Sequence, residues 1–147
     1  MSDIGEAGDI HPKNKLDTGK RLSLWALYQA YGRKNVHSGP IYKSSKIKGN
    51  KIIVKFNHVE SGLMVGSKHL FDKTFPVNEP LKRFQICGKD GQWKWATAKI
   101  TSKNKVKVWH NEIKNPVEVR YAWSSNPEGA NLYNKEGLPA SLFKTKN

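Results

Sequence analysis

The sequence predicts a mainly β protein: a β-sandwich preceded by one long helix. Three observations predict it. Apolar residues between Leu16 and Tyr31 recur at helical spacing. From Val36 onward the period changes to two. Turn signals then recur at about eight- to twelve-residue intervals, the rhythm of a sandwich.

The helix is expected over residues 12–31. Pro12 suits a first turn, where a missing N–H costs nothing. Asn14, with Asp17 three residues on, is an alternative capping pair. Leu22, Trp25, Ala26 and Ala30 share one face, while Lys13, Lys20, Arg21 and Gln29 lie mostly elsewhere. Gly32 would cap the C-terminal end. At ~1.5 Å per residue such a helix is about 30 Å long. Its apolar stripe must pack on the downstream domain or on something absent.

The strands follow in order. Lys46-Ile47-Lys48 and Lys51 to Phe56 flank Gly49-Asn50, a tight-turn signal. Gly62 to Val65 is a short strand, and residues 68–82, with Pro76 and Pro80, read as a loop. Phe84 to Gly88 leads through Lys89-Asp90-Gly91 to Trp93–Ile100, which alternates cleanly as one strand. Ser102-Lys103-Asn104 turns the chain into Lys105–Trp109, and Asn115-Pro116 opens Val117–Trp123. That makes about seven strands. The tail, Ser124 to Asn147, has turn chemistry at Asn126-Pro127-Glu128-Gly129 and Glu136-Gly137-Leu138-Pro139. It also carries Leu132, Tyr133, Leu142 and Phe143, so it should pack down.

The chain of 147 residues suits one domain, or a small domain with an appendage. Its formal net charge is +14, from 26 Lys and Arg against 12 Asp and Glu. Such a balance suits anionic partners. The basic residues are spread along the chain, however, so solvated strand faces are the simpler reading. The single cysteine, Cys87, allows no internal disulfide and reads as a small buried residue. No apolar run approaches the ~20 residues of a membrane span. The acidic start, Ser2-Asp3-Ile4-Gly5-Glu6, lacks the hydrophobic segment of a signal peptide and reads as the middle of a larger protein.

Candidate chemistry is sparse. Asp9 and His11 lie two residues apart, just ahead of the helix. A histidine held in such a loop can serve as a general base, and a carboxylate can fix its tautomer. An isolated Asp-x-His is nonetheless more often a surface turn. His37, His58, His69 and His110 show no metal-ligand spacing. There is no phosphate-binding glycine loop and no Gly-x-Ser-x-Gly elbow. Trp93 and Trp95 share one strand face, with Lys94 on the other. Two such indoles are expected to face the sandwich core, with a sugar- or base-stacking surface as the alternative.

As a whole the chain resembles the C-terminal part of a sialate O-acetylesterase. That family belongs to the SGNH-type serine hydrolases. Its bacterial members are often called sialic-acid-specific 9-O-acetylesterases. One block that carries the resemblance is Asp9-Ile10-His11-Pro12-Lys13-Asn14-Lys15 with the helix after it. The other is Val119-Arg120-Tyr121-Ala122-Trp123, followed by Asn126-Pro127, Asn131-Leu132-Tyr133-Asn134 and Gly137-Leu138-Pro139-Ala140-Ser141. Tyr31-Gly32 and Ser38-Gly39-Pro40 also fit.

The resemblance implies that His11 is the catalytic base. It implies that residues 1–35 are the C-terminal loop and last helix of an α/β/α SGNH domain, and that 36–147 form an appended β-sandwich. It further implies hydrolysis of O-acetyl esters on sugars through an acyl-serine, with no metal and no organic cofactor. The nucleophile block lies far upstream in that family, so the catalytic half would be a partner to this chain. Secretion or a periplasmic location is the family's habit. One departure stands out. The family commonly places Asp three residues before His, and here that position is Gly8. Asp9, Asp3 or Glu6 could serve instead, or the site could be a dyad. The second reading is a free-standing basic sandwich that binds an anionic glycan or nucleic acid, nucleic acid being the less favoured, with no role at a membrane.

Overall fold

The computed structural model describes residues 2–11 and 13–145. It is mainly β, with one helix followed by antiparallel sheets. Helix α1 runs from Lys15 to Gln29, shorter than the expected 12–31. Asn14 is its N-cap, accepting a hydrogen bond from the Asp17 N–H at 3.0 Å. Capping therefore falls to the alternative pair, and Pro12 lies outside the described residues. At the other end Gly32 adopts φ +62°, and the Arg33 N–H returns to the Leu27 carbonyl at 3.0 Å. A residue with a Cβ would be strained in that turn.

Eleven strands follow: β1 (Ile41–Lys48), β2 (Lys51–Asn57), β3 (Leu63–Ser67), β4 (Phe75–Pro76), β5 (Phe84–Cys87), β6 (Trp93–Trp95), β7 (Thr97–Ser102), β8 (Lys105–Trp109), β9 (Glu118–Tyr121), β10 (Leu132–Asn134) and β11 (Phe143–Lys144). They form sheets in the orders β1-β2-β8-β7, β11-β9-β5-β6 and β10-β3-β4. Of the four strands beyond seven, three are short pieces: β4 lies in the stretch read as loop, and β10 and β11 lie in the tail, which packs down as expected; the fourth arises because Trp93–Ile100 is divided between β6 and β7.

The clean alternation across Trp93–Ile100 conceals a break. β6 pairs with β5 and β7 with β8, so this run passes from one sheet to the other at Ala96. The Ala96 N–H is held by the Phe84 carbonyl at 3.0 Å.

The core lies between the two four-stranded sheets. Ile52, Val54 and Phe56 of β2, with Val106 and Val108 of β8, face Phe84 and Ile86 of β5, Val119 and Tyr121 of β9, and Phe143. Phe143 bridges the layers, with ring centroids 5.8 Å from Phe56, 4.9 Å from Tyr42 and 6.4 Å from Phe84. Each fully buried side chain of this size contributes roughly 1.5–3 kcal/mol. On the outside of the first sheet, Lys46, Lys55, Lys99, Lys105 and Lys107 occupy register positions facing away from the core. No acidic residue falls on its four strands.

The tail closes the fold. Asn134, fully buried, donates to the Ser38 carbonyl at 3.1 Å and accepts from the Leu138 N–H at 2.8 Å. Gly39 passes so close to the tail that a Cβ there would sit 2.0 Å from the Pro139 carbonyl oxygen.

Candidate functional site

The Asp9–His11 turn is local. The His11 backbone N–H donates to Asp9 Oδ1 at 2.8 Å. The imidazole Nδ1 lies 3.4 Å from the same oxygen. An aspartate that accepts from a backbone two residues on makes an Asx-type turn, and here that turn brings the histidine ring back over the carboxylate. The His11 side chain is 75% exposed, so its other ring nitrogen is open to an outside group.

The alternative carboxylates are committed elsewhere. Both oxygens of Asp3 accept from Arg21, Nη1 and Nη2 each at 2.7 Å, and Asp3 Oδ2 also accepts from the Tyr133 hydroxyl at 3.2 Å. Burial and the neighbouring Asp3 charge push that hydroxyl well above the usual phenol range, so it stays a donor. Glu6 pairs with Lys13 at 3.1 Å. Asp9 is thus the candidate that meets His11.

These contacts also explain how α1 is held. No helix residue is buried, and Leu22 and Trp25 of the expected apolar stripe are 64% and 41% exposed. The anchors of its first half are polar: Arg21 to Asp3, and Asp17 to Lys68 at 2.6 Å. Burial acts to raise the Asp17 carboxyl. Hydrogen bonds from Lys68 and Asn14 and the charges of Lys68 and Arg21 outweigh it, leaving the group below its usual value.

The structure gathers two histidines that no motif connected. His37 stacks on Tyr28 with centroids 3.7 Å apart, meets Trp25 at 4.5 Å, and has His58 at 5.3 Å. They tie the end of α1 to the sandwich. Among the described residues no group of three His, Cys, Asp or Glu could hold a metal. Cys87 is buried, and burial, reinforced by Glu118, raises its thiol pKa.

The two tryptophans of β6 correct the sequence reading. Their register partners Gln85 and Cys87 alternate with Phe84 and Ile86, which fill the core. Trp93 and Trp95 therefore stand on the outer face, with Trp95 59% exposed.

Two depressions mark the surface, and the first lies beside the helix. An open groove of about 450 Å³ is lined by Leu22, Trp25, His37, Pro139 and Leu142 among others. A second, polar one of about 370 Å³ includes Asp3, Lys68, Lys82 and Tyr133. His11 lines neither. Among the described residues no serine hydroxyl bonds to His11. The turn can hold and pass a proton, and the nucleophile for an acyl transfer is not beside it.

The fold and site define a helix-led, mainly β-sandwich chain with one exposed Asp–His turn. No family model matches it, and no curated protein matches it. Among solved structures it is similar to a carbohydrate acetylesterase from Xanthomonas citri, at 39% sequence identity and a TM-score of 0.86. The match covers 99% of this chain and 31% of that one. This chain thus spans about a third of the length of that structure. The identity carries the likeness beyond fold, to an acetylesterase-like relationship.

Proposed function

We propose that this chain is the C-terminal portion of a carbohydrate O-acetylesterase of the SGNH serine-hydrolase type, acting on sialates or similar glycans. The observation that carries the reading is the 39% identity, sustained over 99% of the chain, to a carbohydrate acetylesterase. The 3.4 Å approach of Asp9 to His11 supports it locally. In this reading residues 1–35 belong to the hydrolase domain and 36–147 form its appended sandwich. The exposed Leu22–Trp25 face suits a helix that completes such a domain.

The 3.4 Å approach of Asp9 to His11 supports these roles. Asp9 holds the Nδ1 proton, so the exposed Nε2 is the free base. It takes the proton of a serine hydroxyl supplied by polypeptide outside these residues. The serine oxygen bonds to the acetyl carbon, and the sugar oxygen leaves with the proton that His11 returns. Water, deprotonated by His11 in turn, attacks the acyl-serine and releases acetate.

A chimera tests the proposal. This chain replaces the matching segment of the Xanthomonas citri enzyme, and acetate release from an O-acetylated glycan is measured. The chimera should be active and its His11→Ala form should lose activity by orders of magnitude. A fully active His11→Ala chimera would overturn the assignment.

A further inference from the structure

The outer face of the sheet β11-β9-β5-β6 carries an arrangement the esterase chemistry does not use. Register places Gln85 of β5, Trp93 and Trp95 of β6, Arg120 of β9 and Lys144 of β11 on that face. The Arg120 guanidinium lies 4.2 Å from the Trp93 ring centroid, and its Nε donates to Gln85 Oε1 at 2.8 Å. Lys144 Nζ lies 5.5 Å from the same ring. Arg83, just before β5, lies 5.6 Å from the Trp95 ring and donates its Nε to the Glu128 carbonyl. Its backbone is left-handed, at φ +65°, an unusual state for a residue with a Cβ. Among the described residues neither arginine has a carboxylate partner. One acid, Glu118, shares the face and reaches Lys144 at 4.0 Å.

We infer that this face binds an anionic polysaccharide, one bearing uronate or sialate carboxylates. A pyranose ring lays its C–H face on an indole, and Trp95 offers an exposed one. A carboxylate attached directly to the ring is best met by a planar, bidentate donor beside that indole. Arginine supplies it, and lysine does not. Arg83 and Arg120 are each fixed through Nε and braced on a ring, which leaves the terminal nitrogens as the donors available to a ligand. Such bracing lowers the ordering cost of binding. The lysine-rich outer face of the other sheet has charge but only Trp109 as an aromatic, itself beside Lys107 at 5.1 Å. Charge complementarity favours an acidic chain over a neutral one, and the similarity to a carbohydrate acetylesterase favours a glycan over a phosphate backbone.

Binding at this face uses neither His11 nor an acetyl group, so its test is independent of the proposed esterase. Polygalacturonate, which carries no acetyl ester, is titrated into the full chain by calorimetry at about 0.15 M salt, where bare surface charge is screened beyond ~8 Å. Trp95→Ala and Arg120→Gln should each weaken binding about tenfold. Lys99→Gln with Lys107→Gln, removing two charges from the other sheet, should leave it within about twofold. Dextran, uncharged, should bind at least about tenfold more weakly than polygalacturonate. Trp95→Phe should keep much of the affinity, a result that loss of folding would not give. Absence of wild-type binding would overturn the inference. So would equal binding of dextran, tighter binding of a single-stranded oligonucleotide, or equal weakening by the lysine pair.

Discussion

Asp3 and Arg21 form a two-pronged ion pair, both contacts 2.7 Å, with the carboxylate side chain only 2% exposed. The pair fastens the N-terminal loop to α1 and, through Tyr133, to β10. A buried carboxylate without its cation is costly. Arg21→Ala should lower stability by about 3 kcal/mol, while joint replacement of Asp3 and Arg21 by apolar residues should recover most of the loss. Urea unfolding of the three forms measures both.

Acid should loosen the helix. The Asp17 carboxyl is held below its ordinary value, so the folded state binds fewer protons than the unfolded one there. The stability from this group is present above the unfolded carboxylate value, near 3.9, and is lost as pH falls through the lower folded value. Helix content by circular dichroism should drop toward the bottom of that window. Asp17→Asn should show weaker docking at neutral pH, by about 1.5–3 kcal/mol, with a flatter acid profile.

His11→Ala should barely touch stability, within about 0.5 kcal/mol, because the side chain stands in solvent. Its effect on an assembled esterase is then purely chemical. Asp9→Asn should cost several orders in kcat, but less than His11→Ala, if the carboxylate sets the tautomer. The chain by itself should not hydrolyse 4-nitrophenyl acetate above a denatured control, since no serine is organised at the imidazole. Saturable turnover that depends on His11 would contradict this.

Phe143 touches rings from both sheets, although its own strand has two residues. Phe143→Ala should therefore cost about 3–5 kcal/mol, as in a central core position. A thermal melt that shifts by only a few degrees would place the tail outside the cooperative unit.

Much of the fold was legible because it is written in local pattern. The Gly49-Asn50 turn and the alternation of β2 and β8 translate directly into register. The sheet switch at Ala96 was not legible. Trp93–Ile100 keeps period two throughout, and only the partners on either side reveal the change. The facing of Trp93 and Trp95 failed for the same reason: alternation gives two faces without saying which is inside. The helix deceived differently. Its hydropathy marks Leu22 and Trp25, yet Asp17 and Arg21 dock it, and ion pairs leave no periodic trace. The Asp9–His11 contact could be foreseen because two residues of one turn must meet. The Tyr28–His37–His58 cluster could not, being built from separate elements.

The crossing of Ser38–Pro40 with the tail governs the order in which the molecule can be made. Asn134 reaches Ser38 across 96 positions, and the Ser141 N–H bonds to Pro40. On a ribosome adding about 5–20 residues per second, the stretch behind α1 waits several seconds for its partners. During that time the nascent helix has its ion pair to Lys68 available but not Tyr133. A nascent chain stalled before residue 130 should therefore show a helix still open to protease, whereas a chain extended through Ser141 should protect it.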